Sequence, residues 1–348
     1  MTAIKKGKID KSIIRRATAL GMFAAVTRIL DRLLKDSSKD LENNHRLRRA
    51  ICGGFGTLSA ILIDNTFVNS ILVMWTMLRA LHSIWPTSLT LPHSSTISMC
   101  FSATQILTSW YMSPEDLNRR YLSMLNVHGG KSIKDCVSKF TAGNLVDSCA
   151  VSHPGHNCGV HFFQFFGAGM LRAVKLYAPL YVVILLVSKP HSVQHAILNT
   201  LRSSVFLSLY CTLGWASICL SNWIAPNAIH TRASMYSHLW IAGLSTLVER
   251  PSRRTELAIY CATYALDSLY NRLGNLKVLK KHDPILGSTL LIFSVSVLLY
   301  YSRAPAVLIK WLLDMDVKLD HPRSQPSSSS FAPSGSESSS SNSLPIQV

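Results

Sequence analysis

The chain has 348 residues, of which 48% are hydrophobic and only 15% are charged, yet its formal net charge is +17. Soluble domains carry about 25% charged residues, so this composition excludes an ordinary soluble domain. A soluble nucleic-acid binder is excluded too: the basic residues are not spread out but clustered between apolar stretches, at Lys5 to Lys11, Arg46 to Arg49, Arg250 to Arg254 and Lys277 to Lys281, the layout of a membrane protein with basic loops.

The first predicted element covers the start, "KSIIRRATALGMFAAVTRILDRLLK", which reads as a basic amphipathic helix. Its apolar part is broken by Arg28, Asp31 and Arg32, so no cleavable signal peptide is visible. Two roles fit it: a cover for the remaining helices, or an organelle-targeting element. Next comes "AICGGFGTLSA", where Ala50, Gly54 and Leu58, Gly53 and Thr57, and Gly56 and Ala60 stand four apart, a spacing that lets membrane helices approach closely. A hairpin follows from Leu58 to Ile84 around the polar turn "DNTFVN". Ser95 to Met112 then has no charge and is long enough to cross a bilayer core of about 30 Å.

The middle of the chain differs. Asn126 to Gly159 is polar, and Phe162 to Val187 is apolar but contains Arg172, Lys175 and Pro179. The second of these can just span a membrane if Arg172 and Lys175 reach to the interface. Ser203 to Ser221 and Pro284 to Ser302 are two more uncharged windows of spanning length. Between them "HLWIAGLSTL" places Ala242 and Thr246 four apart beside Gly243, and a second hairpin runs from Leu244 to Leu269. Its turn is far more charged than the first. Pro251 stops the incoming helix, Glu249 neutralises neighbouring arginines, and Glu256 sits in the first turn of the next helix, where the helix dipole favours it. Arg250, Arg253 and Arg254 are candidate contacts for lipid phosphates, the alternative being a solvated turn. The tail, 321–348, is serine-rich and reads as disordered.

The two hairpins echo each other. Leu58-Ser59 and Ala80-Leu81 recur as Leu244-Ser245 and Ala265-Leu266, about 185 residues later with one gap, and Phe101-Ser102 recurs as Phe293-Ser294. The expected fold is therefore all-α: a polytopic membrane helix bundle of two repeated four-helix units joined by a linker helix. The predicted divisions are 1–125 (first unit), 126–190 (loop and linker), 191–320 (second unit) and 321–348 (tail). If the linker spans, the parity of crossings inverts the second unit relative to the first; Ser37 to Asn44 and Asn222 to Ser234 then lie on opposite sides. If it lies flat, the units are parallel.

One stretch carries chemistry: "CAVSHPGHNCGVHFF", with Cys149, His153, His156, Cys158 and His161, and with Cys136 upstream. Three readings fit. Cys149, His153, His156 and Cys158 have ligand types suited to zinc; Cys149 and Cys158 suit a disulfide in an oxidising space; or His153-Pro154-Gly155 turns the chain as a structural cap. Cys52, Cys100, Cys211, Cys219 and Cys261 lie in apolar helices and read as buried small residues. No Gly-rich phosphate loop, nucleophile elbow or H-E-x-x-H motif is present. Acids within the expected spans are scarce, with Asp64 and Asp267 placed at helix ends, which weakens a proton-coupled pump.

"CAVSHPGHNC" followed by "KLYAPLYVVILLV" resembles the cysteine-rich amino-terminal module of the transmembrane protein 135 family, through His153, Pro154, Cys158, Lys175, Tyr177, Pro179, Leu180 and Tyr181. "LVERPSRRTELAIYCATYALDSLYNRL" is similar to that family's Glu-Arg-x-Ser-Arg-Arg hairpin, at Glu249, Arg250, Ser252, Arg253 and Arg254. The resemblance implies a multi-pass protein of peroxisomal or mitochondrial membranes, linked with lipid handling and organelle homeostasis. It also implies a distant relation to mitochondrial import translocases and a peroxisomal membrane protein. It implies no catalytic residue and no cofactor. The expectation is a non-enzymatic conduit for lipids or metabolites, in contact with membrane lipids and not with nucleic acid. The alternatives are a structural or recruitment protein, with basic loops and tail as docking surfaces for protein partners, and a metal-dependent membrane enzyme resting on the His/Cys cluster.

Overall fold

The computed structural model describes residues 11–37, 44–85, 92–130, 149, 153, 155, 157–187, 193–225, 231–278 and 284–301. Regular structure among them is all helical: α1 (Lys11–Ser37), α2 (His45–Ile63), α3 (Ser70–Ile84), α4 (Ser94–Met112), α5 (Arg119–Gly129), α6 (Cys158–Val187), α7 (Val193–Ile224), α8 (Arg232–His238), α9 (Pro251–Asn275) and α10 (Pro284–Tyr301). Short 3₁₀ turns join α2 to α3 and α4 to α5, and a ten-residue 3₁₀ helix, Leu239–Val248, continues α8. The serine-rich segment 321–348 lies outside the described residues.

Local chemistry sets the starts. The side chains of Asn44, Asn69 and Thr231 accept from the backbone N–H three residues on, at 3.2, 2.8 and 3.2 Å, and so begin α2, α3 and α8. Pro251 occupies the first position of α9, where its missing N–H costs nothing. The expected turn "DNTFVN" is present, with Asp64 accepting from Thr66.

The long 3₁₀ run was not anticipated; such runs rarely exceed four residues. It brings residues three apart onto one line, and Leu239, Ala242 and Ser245 are all buried. Gly243 explains the need. A methyl group on it would lie 2.5 Å from the Cys100 Cα, so the backbones of the 3₁₀ helix and α4 touch. Gly54 similarly faces Ser296 of α10, and Gly56 faces Thr27 of α1. The small-residue stripes are packing surfaces, as their spacing suggests.

Helix pairing is crossed. The helix α1 packs on α2, and α7 packs on the 3₁₀ helix. The helix α4, however, packs against the 3₁₀ helix and α9, whereas α10 packs against α2 and α3. The helices α3 and α9 meet between these groups, and α6 covers α7. Chain directions follow from side-chain bonds. Asp31 pairs with Arg48 at 2.8 Å while Arg15 reaches the Ile63 carbonyl at 2.9 Å, so α1 and α2 are antiparallel. Ser208 bonds the Phe166 carbonyl at 2.7 Å and Tyr181 bonds Ser203 at 3.1 Å, so α6 and α7 are antiparallel too.

Polarity is arranged from the outside in. Phe163, Leu171, Leu186, Ile285 and Phe293 are exposed. Thr57, Thr108, Ser109, Ser204, Ser208, Thr212, Ser217, Thr246, Thr263 and Ser268 are buried. An interior of small hydroxyl residues with a greasy perimeter is how helices associate where the surroundings are as apolar as leucine. Exposed apolar side chains of this size, when they lie together, mark a surface that meets something other than water. Val193–Ile224 and Pro284–Tyr301 are long and apolar enough to cross a membrane. The third expected window, Ser95 to Met112, is helical but is not one of these two: its buried face carries Thr96, Ser102, Thr104, Thr108 and Ser109, while Ile97 and Phe101 are exposed.

Candidate functional site

A single turn starts the site. The backbone N–H of His153 donates to the Cys149 carbonyl at 2.8 Å, which places the two side chains on one face. Gly155 has φ +75°, a conformation side chains rarely adopt. Asn157 Oδ1 then accepts from Gly159 N at 2.9 Å at the start of α6, and Cys158 opens that helix.

These three side chains converge with a fourth, Cys219 of α7. The Cys149 and Cys158 sulfurs are 3.7 Å apart. His153 Nε2 lies 3.4 Å from Cys219 Sγ and 3.5 Å from Cys158 Sγ. All four ligand atoms fall within 4.8 Å of one another. His153 is buried and stacks on His161, centroid to centroid at 4.8 Å. Asn222, one turn beyond Cys219, donates from Nδ2 to Cys149 Sγ at 3.6 Å. Burial pushes the Cys149 thiol up, and its contact with Cys158 pushes the same way. A cavity of about 250 Å³ opens beside the cluster between His161, Phe165, Trp215 and Cys219.

Of the four residues expected as ligands, Cys149, His153 and Cys158 meet; His156 lies outside the described residues, as does Cys136. Cys149 and Cys158 are not joined, since a disulfide needs about 2.05 Å. Cys219 is the residue that sequence reading missed. It looked like any small apolar-helix residue, and its one local hint is Asn222 three positions on, on the same helix face.

A second cluster gathers at the far end of α6 and α7. Glu249 is 2% exposed, accepts from Ser203 Oγ at 2.7 Å and pairs with Arg253 at 3.7 Å. Arg253 also donates to Ser203 at 2.8 Å and to the Tyr181 hydroxyl, and lies over the Tyr181 ring. Arg254 ties down the Glu249 and Leu247 carbonyls, each at 2.8 Å, at the end of the 3₁₀ helix. Arg253 and Arg254 thus brace the hairpin, and Arg250 caps α9 through its carbonyl, which accepts from both.

Asp116 gathers a third cluster: Arg232 at 3.6 Å, Arg272 at 3.4 Å and Asn275 at 2.8 Å. Asp267, expected at a helix end, lies within α9 and is buried, where it accepts from Ser70.

The fold and cluster define a helical, cysteine-rich protein with membrane-type helices. Residues 150–274 match the family model of the N-terminal cysteine-rich region of Transmembrane protein 135, so this stretch of the chain is similar to that region. It holds His153, Cys158, Cys219 and the whole Glu249–Arg254 hairpin, and begins one residue after Cys149. No curated protein and no solved structure matches the chain.

Proposed function

We propose that the protein is a polytopic organelle-membrane protein of two inverted four-helix repeats that handles acyl lipids along α4. The repeat reading takes α1 with α7, α2 with the α8–3₁₀ element, α3 with α9, and α4 with α10. Three pairings within the eight repeat elements then have counterparts: α1–α2 with α7–3₁₀, α2–α10 with 3₁₀–α4, and α3–α10 with α9–α4. The fourth helix of each repeat is exchanged. Equivalent helices α3 and α9 run antiparallel, because Ser70 meets Asp267 while Arg79 meets Glu256. A two-fold axis relating antiparallel mates lies across the helices, the arrangement of inverted repeats.

The observation that carries lipid handling is a pair of adjoining apolar grooves, about 610 and 680 Å³, that share Ile97, Phe101 and Tyr236. Pockets of roughly 300–1,000 Å³ suit small ligands. Phe101 is 75% exposed where the grooves meet. One groove has a polar pole: Gln105 accepts from the Tyr236 hydroxyl and donates to Ser268 at 3.3 Å. An apolar trough with one polar pole, opening toward an apolar perimeter, suits a single-chain lipid with a polar head. The family match supports the membrane setting; peroxisomal or mitochondrial membranes follow from the family resemblance. Arg250, Arg253 and Arg254 are proposed to sit at headgroup level.

The test is photocrosslinking with a diazirine fatty acid in membranes, with the labelled peptide mapped. Label on α4 or the 3₁₀ helix, reduced by Phe101→Ala and Gln105→Leu, supports lipid binding. Label spread evenly over α6 and α10 would sink it. Unchanged fatty-acid flux in organelles lacking the protein would remove the conduit role.

A further inference from the structure

We propose that Cys149, His153, Cys158 and Cys219 form a closed tetrahedral zinc site that pins the loop before α6 to the end of α7. Three of the six separations between the ligand atoms are those of a ligand shell, and all four atoms lie within 4.8 Å of one another. Sulfur ligands about 2.3 Å and a nitrogen about 2.0–2.1 Å from a tetrahedral zinc lie roughly 3.8 Å apart S to S and 3.5 Å apart S to N. The observed separations are 3.7 Å for Cys149–Cys158, 3.5 Å for Cys158–His153 and 3.4 Å for His153–Cys219. Four borderline-soft donors that converge to this degree select zinc over magnesium or calcium, which prefer oxygen. Four protein ligands leave no open position, so the site is structural rather than catalytic.

Surrounding groups fit the same reading. Zinc binding replaces three S–H bonds with three Zn–S bonds and releases three protons to water, leaving a net charge of −1 on the zinc, three thiolates and neutral imidazole. Asn222 donates an N–H toward Cys149 Sγ, which stabilises sulfur that carries negative charge. His153 is buried against His161, which fixes its ring plane. The consequence is mechanical. The ligands Cys149, His153 and Cys158 belong to one loop, and Cys219 stands 66 residues beyond His153, so the metal closes a long loop across the α6–α7 pair.

The test uses the full chain purified in detergent under reducing conditions. Elemental analysis is expected to give one zinc per chain, and cobalt exchange a thiolate-to-cobalt charge-transfer band with tetrahedral visible bands. Cys219→Ser is expected to abolish stoichiometric zinc, whereas Cys211→Ser, on the same helix, keeps it. Asn222→Leu is expected to weaken zinc retention about 10- to 100-fold against a chelator. If Cys219→Ser does not fold, zinc-edge X-ray absorption of the unmodified protein decides: three sulfurs and one nitrogen support the site. A metal-free protein, an oxidised Cys149–Cys158 pair by intact mass, copper in place of zinc, or full zinc in Cys219→Ser would each overturn it.

Discussion

Ser70 Oγ donates a 2.5 Å hydrogen bond to Asp267 Oδ1, across the meeting line of α3 and α9. Farther along the same pair, Arg79 is bonded to Glu256. Together the two contacts set the helices antiparallel. Under the repeat reading α3 and α9 are equivalent, so this one pair bears on the orientation of both halves. Two more acids follow the pattern. Asp64 ends α2 and Glu249 ends the 3₁₀ helix; each is buried, accepts from a hydroxyl and faces an arginine.

Inversion makes the first prediction. A cysteine introduced at Ser37 and one at Asn227, a position outside the described residues, are expected to react from opposite sides of sealed organelles with an impermeant maleimide. Labelling of both from one side would show parallel repeats.

Removing one member of the Glu249–Arg253 pair leaves the other buried without its partner, a loss of about 3–5 kcal/mol for a fully buried pair. Arg253 is more exposed than Glu249, so the expected cost of Glu249→Gln is smaller, about 1–3 kcal/mol. Thermal unfolding in detergent measures it. The double variant Glu249→Gln/Arg253→Met is expected to recover part of the loss; additive losses would show that the two residues do not act as a pair.

Gly243→Ala forces a methyl group to 2.5 Å from the Cys100 Cα. Backbone cannot yield as a flexible side chain can, and overpacking costs about 1–3 kcal/mol. Gly21 has open space around its position in α1, so Gly21→Ala is expected to be neutral or stabilising by up to about 1 kcal/mol. Equal melting temperatures for the two variants would refute the close contact.

The Thr66 hydroxyl holds the Asp64 carboxyl below its usual range; burial opposes this, while the Thr66 N–H and then Arg15 and Arg16 add to it. A carboxyl depressed in the folded state stabilises the fold above its unfolded pKa, and that contribution fades as pH falls through the lower folded value. Stability is therefore expected to drop in acid, and Asp64→Asn to flatten that drop. Unfolding midpoints measured from neutral pH down through the acid range test it; a variant that follows the parent curve would show that Asp64 is not responsible.

Several features were written in the sequence by itself. A proline ends one helix and can open the next because it lacks an N–H, so the break at Pro251 could be read directly. The small-residue stripes, the polar turns, the Cys149–Cys158 loop and the family's hairpin are similarly local patterns. The tertiary structure decided what distance along the chain conceals. It brought Cys219 to His153 across 66 residues, turned Arg253 inward onto Tyr181 and Ser203, and buried Asp267 against Ser70. It also buried Thr104, Thr108 and Ser109 of the uncharged window in α4 while leaving α10 with an exposed apolar face. The physical reason is common to all of these. A helix's own residues specify its period and its ends, but which face meets a sulfur, a carboxylate or lipid depends on the neighbours that the packing supplies.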